Sequence, residues 1–250
     1  MLVNRLVLMI ITFVLMIILL IAKIHPITAG IITFMIVMTG YLIISYIRSK
    51  SRLNLLDVYC DPQAFLERTE EQRTITGKNP KLNEYFNIDK AAGLITMGEF
   101  EKAKEILKSI SKNRLSSKNG TLLAYTINLI LCLYELGDIT HAEEIFETQI
   151  PVLPPVNPAM TLAVKMLVAE RFFFLGRYDE SQAQYNELLN QKISKRIRMD
   201  ILYRLAQINE KSGDVQAAKE KFNEVASHGN KLWIADQARK KIGRYEGGHY

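Results

Sequence analysis

The 250-residue chain is poor in the side chains that carry covalent and metal chemistry: it has two cysteines and four histidines. None of the histidines, His25, His141, His228 and His249, has a second ligand at a useful spacing, so no metal site is expected. No glycine-rich phosphate loop and no nucleophile elbow occurs, which removes the usual signatures of nucleotide-driven and hydrolytic enzymes. Cys132 stands in an apolar run, NLILCLY, and reads as an inert core thiol. For Cys60, palmitoylation or reactivity has only its nearness to the amino-terminal apolar runs in its favour. The expectation is a protein without catalytic residues or cofactor.

Charge is absent from two long stretches, residues 6–22 and 24–47. A helix over the first is roughly 25 Å long at about 1.5 Å per residue, short but sufficient to span a bilayer. In the second, Thr28, Thr33, Thr39 and Ser45 are hydroxyls that can bond back to their own backbone inside lipid. Lys23-Ile24-His25-Pro26 makes a polar turn between them, since proline removes a donor and disfavours continuing the helix. The pair reads as a transmembrane hairpin with spans at about 6–22 and 27–47. Two other readings are weaker. A buried soluble hairpin seldom runs this long without a charge, and a cleaved signal peptide lacks its small-residue site at Thr28-Ala29-Gly30 and is followed at once by a second span. Arg5 precedes the spans and Arg48, Lys50 and Arg52 follow them, against Lys23 and a mostly neutral histidine in the turn, so both termini are expected in the cytoplasm. The two cysteines are then reduced thiols.

The net charge of +6 divides by region. Through residue 60 five basic residues meet one acid, from 61 to 191 fourteen meet eighteen, and from 192 to 244 thirteen meet six. Membrane flanks thus supply much of the excess, and no nucleic-acid partner is expected. The basic end, around Lys192, Lys195, Arg196 and Arg198, is a candidate surface for anionic lipid or an acidic partner, or an ordinary solvated face.

Beyond the apolar runs, four segments repeat a pattern of apolar helix, glycine, polar residue, apolar residue and, three later, a small residue. They are Gly98-Glu99-Phe100 with Ala103, Gly137-Asp138-Ile139 with Ala142, Gly176-Arg177-Tyr178 with Ser181, and Gly213-Asp214-Val215 with Ala218. The glycines are 39, 39 and 37 residues apart. Glycine ends a helix because the chain there takes a left-handed conformation. The apolar residue is expected to tuck under the turn, and the small one to let the second helix approach the first. Seven before each glycine stand Ala91, Ile130, Ala169 and Ala206; four after each small residue stand the knobs Leu107, Phe146, Tyr185 and Phe222.

This pattern resembles the tetratricopeptide repeat family, as a membrane-anchored bacterial member, over about residues 81–228. The period exceeds the family's roughly 34 residues because of longer connections at 111–120 and 151–158. Ile130, Ile139, Val215 and Ser181 depart from the family's small, aromatic and alanine positions. The resemblance implies an all-α fold: a transmembrane hairpin (1–52), a linker and packing helix (53–80) with Asp61-Pro62 as helix start and Phe65 and Leu66 against the first repeat, a loop at 76–80, four helical hairpins (81–228) and a capping helix at 230–242 with a tail (229–250).

In the family, the first helices of the repeats line a concave groove that binds peptides or partner helices. The matching positions are Tyr85, Ile88, Ala92, Ile127, Leu131, Tyr134, Met166, Glu170, Phe173, Tyr203 and Gln207, an aromatic and aliphatic lining with few charges. The Lys, Arg and Asn with which chaperone-binding members grip a carboxylate are missing at Ile88, Ala92, Ile127 and Leu131, so an amphipathic helix or apolar peptide suits the groove better. The expected function is a membrane-tethered adaptor that recruits a protein partner, with lipid contact through the hairpin. The alternative is a regulatory or structural subunit of a membrane complex assembled through the hairpin, whose Gly30, Gly40 and hydroxyls allow a close helix contact.

Overall fold

The computed structural model describes residues 5–76 and 79–246. Residues 77–78 of the expected 76–80 loop, His249 and the rest of the tail lie outside the described residues. The described residues form twelve α-helices and no strand. The chain divides into two units, Met1–Leu53 and Asn54–Tyr250.

The first unit holds α1 (Arg5–Ile21), a turn at residues 22–25 and most of α2 (Pro26–Asp57). α2 is long and apolar enough to cross a membrane. α1, with its apolar part at Met9–Ile21, is 17 residues and falls short of that length. The sequence suggests two spans; among the described residues one helix is of spanning length. Nor does a linker follow at residue 53: α2 runs on to Asp57, since nothing between Gly40 and Pro62 breaks a helix. Past Asp57 the chain turns at residues 58–60, where Cys60 takes a φ of +53°.

In the second unit α3 (Pro62–Thr76) starts as expected: Asp61 Oδ1 accepts from the Ala64 amide at 3.1 Å, with proline in the first turn. Phe65 and Leu66 pack on Gly93, where a Cβ would meet Leu66 Cδ2 at 2.6 Å and Phe65 Cδ1 at 3.1 Å. Eight helices follow in pairs: α4 (Pro80–Thr96) with α5 (Phe100–Ser109), α6 (Thr121–Glu135) with α7 (Ile139–Gln149), α8 (Pro158–Phe174) with α9 (Tyr178–Leu189), and α10 (Lys195–Lys211) with α11 (Val215–His228). Within each pair the turn glycine is left-handed, φ +77° at Gly98, +78° at Gly137, +75° at Gly176 and +83° at Gly213. The amide after each donates five residues back, Glu99 to Leu94 and Asp214 to Asn209 at 2.9 Å for example, which closes the last turn.

The small residues are where close helix approach needs them. Ala91, Ile130, Ala169 and Ala206, and Ala103, Ala142, Ser181 and Ala218 opposite, are completely buried. Ser181 Oγ donates to the Ala169 carbonyl at 2.9 Å, which measures how near those helices lie. One detail differs: Phe100, Ile139 and Tyr178 are half-buried under their turns, but Val215 is exposed, its short side chain leaving that turn uncovered.

α12 (Trp233–Glu246) covers the fourth pair through Ile234, Ala235 and Ala238, all buried. It begins three residues later than expected, because Asn230, at φ +49°, belongs to the turn. It also reaches the first pair. The Trp233 ring packs edge-on against Phe100, centroids 5.4 Å apart, and against Tyr203 at 5.7 Å. The α2–α3 turn joins here too: Lys231 N donates to the Cys60 carbonyl at 3.1 Å, Asn230 Nδ2 to that of Tyr59 at 2.8 Å, and Lys231 Nζ pairs with Asp61 at 2.7 Å. The helix that covers the fourth pair thus also closes the array on its own beginning.

Candidate functional site

Closure leaves a cavity of about 450 Å³ on the inner side of the array. α4 lines it with Ala92, Ile95 and Thr96 from its last turns, and α6 with Ile127, Asn128, Leu131 and Glu135. α8 contributes along most of its length, from Ala159 to Glu170, and α10 through Ile197, Asp200, Tyr203 and Arg204. Phe100, Trp233 and Ile234 complete the wall, with Leu56 and Asp57 from the end of α2 and Ser194 and Arg196 beside them.

Of the residues the sequence placed in a groove, Ala92, Ile127, Leu131, Met166, Glu170 and Tyr203 line this cavity. Tyr85, Ile88, Tyr134, Phe173 and Gln207 do not. Tyr85 accepts from Asn119 at 3.0 Å, Ile88 is buried, and Gln207 accepts from Arg204 at 3.0 Å. Tyr134 and Phe173 are buried between helices: Tyr134 stacks on Phe174 at 5.0 Å and donates to Glu143 on α7, and Phe173 meets Tyr178 edge-on at 5.8 Å. The three rings expected on one surface, Tyr134, Phe173 and Tyr203, therefore part company. Ala92, Leu131 and Glu170, six residues before their turn glycines, and Ile127, Met166 and Tyr203, ten before theirs, share the wall, whereas Tyr134 and Phe173 stand three before theirs and turn into the packing between helices.

The wall is also more charged than expected. Arg204 pairs with Glu170 at 2.9 Å and with Glu135, tying α10 to α8 and α6. Glu170 accepts in addition from the Tyr185 hydroxyl at 2.7 Å, and the Arg204 guanidinium lies 4.8 Å from the centre of the Phe173 ring. This network joins three successive helix pairs. Burial raises the Glu135 carboxyl above the usual range despite the guanidinium.

Arg196 forms a second centre, 3.0 Å from both Asp57 and Asp200. Burial pushes the Asp200 carboxyl up to about 6, with Arg196 opposing and Glu170 adding to the shift. Arg196 thus sits inside an ion pair rather than on a free basic surface; of the four expected basic residues, Lys192, Lys195 and Arg198 are exposed, Arg198 pairing with Glu224 at 3.2 Å. Both cysteines are buried, and burial raises their thiols, Cys132 to about 12, away from nucleophilic thiolate. His141, exposed, pairs with Asp138 at 2.8 Å, which raises its imidazole.

Residues 200–228, most of α10 and all of α11, match a family model described as a tetratricopeptide repeat. No curated protein and no solved structure matches the chain. The fourth helix pair is thus tetratricopeptide-like in sequence, and such a motif points to protein–protein interaction.

Proposed function

We propose that this chain is a membrane-tethered interaction scaffold whose helical array takes a segment of a protein partner into its inner cavity. The observation that carries the reading is the cavity itself, to which the first helix of all four pairs contributes beside a tetratricopeptide-like fourth pair. The size of the cavity refines the expected partner. At about 450 Å³ it has the size of a pocket for a small ligand or a short stretch of chain. In this reading the occupant is a short peptide or the end of a helix.

α2 supplies the tether, its large side chains from Ile27 to Ile47 mostly exposed, as lipid-facing ones are. In this reading α1 returns across the same membrane, and the basic flanks Arg5, Arg48, Lys50 and Arg52 keep both termini and the array on the cytoplasmic side. The work is binding rather than catalysis: the thiols are buried and protonated, and the charged groups of the cavity are engaged with one another.

A photo-crosslinking residue at Met166, inside the cavity, and at Glu144, exposed on α7, tests this in cells. Adducts at Met166 that map to one short segment of one protein are expected. Adducts from Glu144 alone would move the partner to the outer face.

A further inference from the structure

Six charged side chains line the cavity, and they do not balance. Asp57, Glu135, Glu170 and Asp200 carry four negative charges, Arg196 and Arg204 two positive ones, and no lysine is in the wall. Each arginine is shared between two carboxylates, Arg196 between Asp57 and Asp200, Arg204 between Glu135 and Glu170. One guanidinium cannot neutralise two carboxylates, so each centre keeps an excess negative charge, the Arg204 centre where water screens it poorly and the Arg196 centre partly exposed to the cavity.

Part of the wall is aromatic. Phe100 and Tyr203 flank Trp233, with ring centres 5.4 and 5.7 Å from it, and all three face the same cavity. An aromatic face attracts an organic cation within about 6 Å of its centre, and a cluster of faces does so without desolvating a counter-charge. Asp200 stands one turn from Tyr203 on α10, which places carboxylate and ring side by side.

We propose that the cavity selects its peptide by a lysine or arginine side chain, whose cationic group sits between the Phe100, Tyr203 and Trp233 rings and the carboxylates of Asp57 and Asp200. This rests on the reading of the cavity as a peptide site and adds the chemistry of its occupant. The elevated Asp200 and Glu135 carboxyls agree with it, since a site short of positive charge holds its protons.

Trp233 is the only tryptophan of the chain, so its emission reports on the cavity. The full-length protein in an uncharged detergent is titrated with three capped pentapeptides that differ only at two positions, occupied by lysine, norleucine or glutamate, and separately with tetramethylammonium chloride. The lysine peptide is expected to shift the emission and to bind about tenfold tighter than the norleucine peptide, with Asp200→Asn and Glu135→Gln each narrowing that ratio while the thermal melt followed by circular dichroism stays cooperative. Equal binding of the norleucine peptide, or preference for the glutamate peptide, overturns the cation inference and leaves the peptide site standing. Saturation by tetramethylammonium with no peptide competing for it overturns the peptide as source of the cation. If no probe moves the emission, both the inference and the peptide site fall.

Discussion

Closure of the array on itself can be weighed with two glycines that share a backbone conformation and differ in what surrounds them. Gly98 and Gly137 end the first helices of adjacent pairs at φ +77° and +78°. Alanine at either pays the left-handed strain of an L-residue, roughly 1–2 kcal/mol. At Gly137 the added methyl meets nothing within 4 Å. At Gly98 it comes within 3.1 Å of both Cβ and Cγ of Trp233. Since Cβ is fixed to the backbone of α12, no rotamer change of the ring relieves that contact, and the helix itself must move. Overpacking of this kind costs about 1–3 kcal/mol. Gly98→Ala is therefore expected to lose about 2–5 kcal/mol in all, against about 1–2 for Gly137→Ala. Urea unfolding of the detergent-solubilised chain, followed by circular dichroism, measures the difference, and the Trp233 emission at zero urea should shift only in Gly98→Ala. Equal losses with an unchanged emission would refute the contact between α12 and the first pair, and with it a closed array.

Three further outcomes follow from the same packing. Arg204→Met should cost about 3–5 kcal/mol because it strands the buried carboxylates of Glu135 and Glu170, whereas Lys165→Ala, which removes the exposed pair with Glu187, should cost no more than about 1 kcal/mol in the same unfolding experiment. The Asp200 carboxyl, raised to about 6 in the fold from 3.8, holds its proton longer in the folded than in the unfolded chain, so its contribution is fully present below about pH 4 and is lost as pH rises through about 6. Of order 2 kcal/mol should disappear over that window, and denaturant midpoints measured from pH 4 to pH 7 should show it in the wild type and not in Asp200→Asn. Reporter fusions at either end should both read as cytoplasmic; a carboxyl terminus on the far side would reverse the proposed topology.

What the sequence discloses and what it hides separate along physical lines. The turn glycines, the buried small residues and the Asp61 cap are local: each is fixed by a backbone requirement within a few residues, and the 39-, 39- and 37-residue spacing exposes them without any knowledge of the tertiary fold. The direction in which a side chain of a first helix points is not local. Tyr134, Phe173 and Tyr203 all lie on such helices, yet only Tyr203 reaches the cavity: it stands ten residues before its turn glycine, as Ile127 and Met166 do, while Tyr134 and Phe173 stand three before theirs and pack between helices. Which of two such positions faces inward depends on how successive pairs stack, and one helix alone does not disclose it.

The charge of the cavity had a trace in the sequence that went unread. Glu135 closes the apolar run of α6 and Glu170 interrupts the apolar run of α8, at LVAERFFF. A carboxylate in an apolar helix face is expensive unless a partner meets it, and that partner, Arg204, lies 69 residues from one and 34 from the other. Reading the acids as stray polar positions gave an apolar groove suited to an amphipathic helix. Each is half of a buried pair and demands a cation, and the wall holds two cations where four carboxylates converge. Asp57 adds a second lesson, because it stands at the end of the apolar helix α2, beyond any residue the repeat pattern covers, and still faces Arg196 across 139 residues. In an array that closes on itself, the residues that finish the cavity wall come from the segments before and after the repeats.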